Sequence, residues 1–166
     1  MTGPRWLVLT WRLPATSSTA RVATWRSLQR LGSVSLTPGA VILPFSEHLL
    51  EQLEWVAEDI VQRGGDAYVL PVTELPEADE EEITRRMKHD RAAEYTQLRQ
   101  SARTLASRLA EAEPKALERA ERLQYERELA ALERGLARAV ERDHFASTGR
   151  VLAEKAIRLA RKQKER

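Results

Sequence analysis

Four arginines near the start of the chain stand where an anion can be held. Arg12 closes an apolar run, and Arg21 falls in the first turn of a helical stretch. Arg26 and Arg30 follow four residues apart, hence on one helical face. No acid precedes Glu47, so nothing nearby in sequence neutralises them. A guanidinium fork matches the oxygens of a phosphate or another tetrahedral dianion. The field at a helix N-terminus would add to Arg21, because it fades within one turn. The bland reading makes the same arginines a solvated face that neutralises the acidic second helix, with Arg30 capping carbonyls. A second basic set, Arg158, Arg161, Lys162 and Lys164, lies in the tail, where it either grips a nucleic-acid backbone or frays into solvent.

Other chemistries are poorly supplied. With no cysteine there is no disulfide, thiolate zinc site, cysteine nucleophile or thiol redox step within this chain. His48, His89 and His144 are far apart and form no HxxxH or HxH pair, so metal ligation is not expected. There is no GxSxG and no glycine-rich phosphate loop. Ser17, Ser18 and Ser46 read as helix caps. The expectation is a protein that is not an enzyme and carries no cofactor or metal.

The 166 residues carry a net charge of +2, unevenly spread. Residues 1–46 sum to +5, residues 47–82 to −11 and residues 83–166 to +8, with +5 in Arg150–Arg166 alone. Basic regions flanking an acidic one suit nucleic acid, or self-association of unlike ends. No apolar run approaches the roughly 18 residues of a membrane span, and no signal-peptide pattern opens the chain, so a cytoplasmic protein without membrane contact is expected.

Two compositions divide the chain. All four tryptophans, Trp6, Trp11, Trp25 and Trp55, lie in the first third and read mostly as core, with Trp55 the one expected at the surface. Beyond residue 75 the chain is rich in Ala, Leu, Glu and Arg. The expected units are residues 1–75, an acidic linker or helix start over 76–91, and a helical part over 92–166.

In the first unit, Trp6–Trp11 has strand length and Pro14 ends it. Val22, Trp25, Leu28 and Leu31 recur at helical spacing, and Gly32 stops the helix. Val34 and Leu36 alternate with serines, Thr37-Pro38-Gly39 turns, and Ala40–Leu43 returns as a hairpin. Ser46 caps a helix with Leu49, Leu53, Val56 and Ile60 on one face, ended by Gly64-Gly65. Tyr68–Val72 is the last strand. The order β-α-β-β-α-β predicts an α+β fold, a ferredoxin-like split βαβ domain with a four-stranded antiparallel sheet and both helices on one face.

In the second unit, Tyr95, Leu98, Ala102, Leu105, Leu109 and Ala112 form a narrow heptad seam, which Tyr125, Leu129, Leu132, Leu136 and Ala139 continue. Pro114 suits the first turn of the second helix. An α-helical hairpin is expected, its first helix about 32 Å long. A basic C-terminal helix follows, its apolar side carrying Leu152, Ala156 and Leu159. Metal-dependent nucleases of the CRISPR adaptation machinery share the sheet fold but hang an aspartate from the end of the first strand. Trp11-Arg12 stands there in this chain, and arginine cannot hold magnesium.

The run Trp6-Leu-Val-Leu-Thr-Trp-Arg-Leu-Pro14, followed by Ser18-x-x-Arg21-Val-x-x-Trp25-Arg26-x-Leu28-x-x-Leu31-Gly32, resembles the N-terminal domain of the chromate-resistance regulator ChrB. Leu36-x-x-Gly39-x-x-x-Leu43-Pro44, Asp90-Arg91-x-x-Glu94-Tyr95 and Asp143-x-Phe145 fit the same pattern. The resemblance implies a transcriptional regulator that binds a chromate-efflux promoter and releases it when chromate is present. Typical members carry a second, C-terminal domain implicated in sensing, and this sequence ends where it would begin. The sheet domain is also distantly similar to the central domain of PaaX-type repressors, where that module serves dimerisation.

Three readings follow. The first is a homodimeric DNA-binding regulator with Arg12, Arg21, Arg26 and Arg30 as an anion or DNA site, chromate or sulfate being the oxyanion effector. The second is a dimeric interaction module without DNA affinity. The third is a nuclease.

Overall fold

The computed structural model describes residues 3–112 and 119–165, and the expected role of Pro114 lies outside them. The elements are β1 (Trp6–Arg12), α1 (Ser18–Arg30), β2 (Val34–Thr37), β3 (Ala40–Pro44), α2 (Glu47–Gln62), β4 (Asp66–Val72), α3 (Glu77–Glu111), α4 (Arg119–Glu141) and α5 (Arg150–Lys164). They fall into two units that divide within α3, after Met87.

The first unit is α+β. Its four strands lie in the order β2-β3-β1-β4, each antiparallel to its neighbours. Leu7 and Leu9 of β1 with Val41 and Leu43 of β3 turn one face toward Leu28 of α1 and Leu49, Leu53 and Ile60 of α2, and these form the core. The two-residue alternation of a strand sends Trp6, Val34 and Ile42 to the opposite face, where they are buried too. The first turns of α3 are tied to that sheet by an Arg5–Glu80 ion pair and by Arg86 donating to the Ser35 carbonyl at 2.8 Å. Ile83 and Met87 on the same turns are buried.

Several local expectations change. Of the two readings of the acidic run, linker or helix start, the second is seen: it forms the first turns of α3, where acids suit the helix field. The helix continues for 35 residues, about 52 Å rather than about 32 Å. On α1 the buried face is Ala20, Thr24 and Leu28, while Val22 and Trp25 are exposed, Trp25 at 56%. A strict three-residue repeat drifts about 60° per step around a helix of 3.6 residues per turn, so only the later members reach the core. The tryptophans therefore are not mostly core: Trp6 is buried, Trp11 half-buried, and Trp25 and Trp55 exposed.

Ser17 occupies the N-cap of α1 but makes no side-chain cap bond. Ser46 does cap α2, accepting from the Leu49 N–H at 3.1 Å. The Thr24 hydroxyl is buried without a hydrogen-bond partner among the described residues. Because an unpaired buried hydroxyl costs on the order of 1 kcal/mol or more, Thr24→Val should raise stability by about 1 kcal/mol in urea unfolding.

Candidate functional site

The second unit gathers α3, α4 and α5 around Ala102, Leu105, Ala106 and Leu109, Leu129, and Ala156, Ile157 and Ala160. Alanines on facing helices allow close approach, so α5 buries Ala153, Ala156, Ile157 and Ala160. Leu152 and Leu159, expected on its apolar side, are exposed instead. The outward face of α5 thus carries Val151, Leu152 and Leu159 together with Lys155, Arg158 and Lys162, and no acid.

The tail is an ordered helix rather than a frayed end as far as Lys164. Arg161 pairs with Glu133, and Lys164 lies 3.2 Å from Glu126, so both are engaged with α4. Arg150 pairs with Glu154 at 2.8 Å. Lys155, Arg158 and Lys162 have no ion-pair partner among the described residues.

A half-buried polar clasp anchors the start of this helix. The Tyr95 hydroxyl donates to Asp143 Oδ2 at 3.0 Å. The Ser147 hydroxyl donates to Asp143 Oδ1 at 2.7 Å, and its backbone N–H donates to the same carboxylate at 2.9 Å. Gly149, at φ +98°, caps α5 against Tyr95: a Cβ built there would lie 3.3 Å from that of Tyr95. Alongside, Glu94 accepts from both Arg91 and Arg142. Burial pushes the Tyr95 phenol up to about 12, and its bond to Asp143 adds to the shift. Burial would also raise the Asp143 carboxyl, but the hydrogen bonds from Ser147 and Tyr95 outweigh it and hold the group below its ordinary value. Burial lowers the Arg142 guanidinium. None of these clasp residues was expected to act chemically. Tyr95 was read as seam and, with Arg91, Glu94 and Asp143, as part of a family pattern, whereas Arg142, Ser147 and Gly149 carried no sequence signal.

In the first unit the four arginines do not converge. Arg12 pairs with Asp66, its partner across the β1–β4 ladder, at 2.8 Å. Arg21 donates to the Pro14 and Ala15 carbonyls, both at 3.0 Å, and clips the β1–α1 loop. Arg26 and Arg30 stay exposed on α1 with no ion-pair partner among the described residues. Arg30 borders a groove of about 400 Å³ between α1 and α2, with Trp55 and the Asp59–Arg63 pair on its other side. The described residues contain no group of three His, Asp or Glu side chains able to hold a metal. Nor does any of their helices have the length and apolarity to cross a membrane.

A family profile described as "Protein ChrB, N-terminal" matches residues 21–166. The chain belongs to the ChrB N-terminal family. Protein ChrB of Cupriavidus metallidurans is 35% identical over 92 residues, 55% of this chain and 28% of that relative. The chain therefore aligns with under a third of the curated relative's length. No solved structure matches. The ChrB profile begins inside α1 and leaves β1, with Arg12, outside it. It includes the whole clasp, so the ChrB-like positions Arg91, Glu94, Tyr95 and Asp143 are those that fix the start of the basic helix.

Proposed function

We propose that this ChrB-family chain is a non-enzymatic regulatory domain associated with chromate resistance, acting in the cytoplasm as a homodimer that binds DNA through phosphate contacts. The observation that carries this reading is the outward face of α5, where Lys155, Arg158 and Lys162 have no ion-pair partner among the described residues. Arg26 and Arg30 on α1 give a second, smaller set. Arg12, Arg21, Arg161 and Lys164 hold the protein's own groups and contribute field more than contact. The strand order, read from the other edge as β4-β1-β3-β2, supports a ferredoxin-like sheet domain. Contacts of Leu98 with Gly135 and of Arg108 with Glu128 support an antiparallel α3–α4 hairpin.

The test is a gel shift on a chromate-operon promoter fragment across a salt series. Each phosphate contact contributes about 0.9 to the logarithmic salt slope on duplex DNA. Combining Lys155→Ala, Arg158→Ala and Lys162→Ala should flatten the slope by about 2 to 3 and weaken binding at least tenfold at low salt. No shift by the unmodified chain at low salt would overturn the reading. The exposed Val151, Leu152 and Leu159 on the same face favour the second reading, an interaction module that dimerises without DNA affinity. Cleavage of nucleic acid in magnesium or manganese would instead reinstate the nuclease.

A role for an oxyanion effector rests on Arg26 and Arg30. Millimolar chromate or sulfate should raise the melting temperature, and Arg26→Ala with Arg30→Ala should abolish the rise.

A further inference from the structure

The sheet has two edges, β2 and β4. β2 is four residues long and its register breaks between Ser35 and Thr37, which makes it a poor template for another strand. β4 runs unbroken for seven residues along β1. Its register places Pro71 opposite Leu7. Proline has no N–H to give, so in a regular ladder the Pro71 backbone points away from β1, and by two-residue alternation so do those of Val69 and Ala67. The open edge therefore offers two N–H groups, from Ala67 and Val69, and three carbonyls. The Ala67 and Val69 side chains pack on the core, whereas Tyr68 and Leu70 project from the other face, 64% and 47% exposed.

We infer that this edge pairs with β4 of a second copy, antiparallel and centred on Val69. This rests on the homodimer reading above and assigns its surface. In that register Val69 faces Val69, Ala67 faces Pro71, and the two Ala67 and two Val69 N–H groups find the opposing carbonyls. Pro71, the one residue without a donor, falls at the ends of the new ladder. Tyr68 of each copy lies opposite Leu70 of the other, as a directly facing non-hydrogen-bonded pair, which covers all four exposed side chains. The neighbouring registers are worse. Centring on Leu70 sets Asp66 against Glu74, two like charges, and centring on Tyr68 sets Asp66 against Leu70. Centring on Val69 instead brings Glu74 opposite Gly64, beside Arg63, so unlike charges meet at both ends. One two-fold interface closes the β4 edge of both copies and makes a continuous eight-stranded sheet with the short β2 strands at its ends.

The absence of cysteine makes the register directly testable. Light scattering of the unmodified chain at micromolar concentration should give twice its 18.9 kDa mass. Leu70→Lys, at an exposed site, should raise the dimer dissociation constant at least tenfold while leaving circular dichroism unchanged. Tyr68→Cys mixed with Leu70→Cys under mild oxidation should yield a disulfide-linked dimer, because directly opposed positions have the Cβ spacing a disulfide needs. Either variant alone should not, since like residues sit on the longer diagonal. A monomeric unmodified chain would overturn both this inference and the homodimer reading. A dimer that survives Leu70→Lys and gives no cross-link in the mixture would overturn the β4 interface alone.

Discussion

Asp143→Ala should remove about 4 kcal/mol from the stability of the second unit and lower its melting temperature by roughly 20 °C. The carboxylate accepts from the Tyr95 hydroxyl and from both the hydroxyl and the N–H of Ser147. Hydrogen bonds to a charged acceptor contribute about 1.5 to 3 kcal/mol each, and the deletion leaves the phenol of a fully buried tyrosine unpaired. Tyr95→Phe removes donor and desolvation cost together, so it should cost nearer 1 kcal/mol. Differential scanning calorimetry separates the two, and equal losses would show that the carboxylate matters only through Tyr95.

The same clasp sets a pH dependence with two signs. Asp143 titrates lower in the folded chain than in the unfolded one, so its contribution is present above the ordinary carboxylate range and is lost as pH falls through the depressed value. Tyr95 titrates higher, so its contribution is complete below about 10 and disappears as pH rises toward about 12. In Asp143→Ala the acid limb should vanish, whereas the alkaline limb, which rests first on the burial of Tyr95, should shrink but persist. Because Ser147 and Gly149 lead into α5, the variant should also weaken DNA binding without touching a basic side chain.

Gly65→Ala should cost about 3 kcal/mol, by a different mechanism. A Cβ at this position would sit 2.4 Å from the Arg12 carbonyl oxygen, 2.9 Å from Ile60 Cγ2 and 3.0 Å from Leu13 Cδ2. The first of these is backbone at the end of β1 and cannot rotate aside, so β4 must shift against the strand it pairs with. Gly64 supplies the contrast. It has φ +81°, but its nearest neighbour is Pro14 Cγ at 4.0 Å, so Gly64→Ala meets backbone strain alone and should cost about 1 kcal/mol. Urea midpoints of the two variants should differ accordingly, and near-equal midpoints would mean that the β1–β4 contact yields freely.

Local chemistry was legible in the chain itself. The apolar run of β1, the Thr37-Pro38-Gly39 turn, the Ser46 cap and the stripe Leu49, Leu53, Val56 and Ile60 each follow from residues within one element's reach, and the α+β class with its four antiparallel strands follows from their order. So does the seam of α3 and α4, whose spacing keeps it on one side of each helix. What an element packs against was not legible. Both α1 and α5 turn inward a face that mixes one large residue, Leu28 or Ile157, with Ala20, Ala153, Ala156 and Ala160, and leave Trp25 and Leu159 outside. Which arginines remain free for a ligand was decided by Asp66, Pro14 and Glu133, residues that lie up to 54 positions away or expose only a carbonyl. The Tyr95–Asp143 bond spans 48 positions. Periodicity records how often a side chain returns to one face, whereas a salt bridge or a buried hydrogen bond depends on two faces meeting, and only the folded chain brings them together.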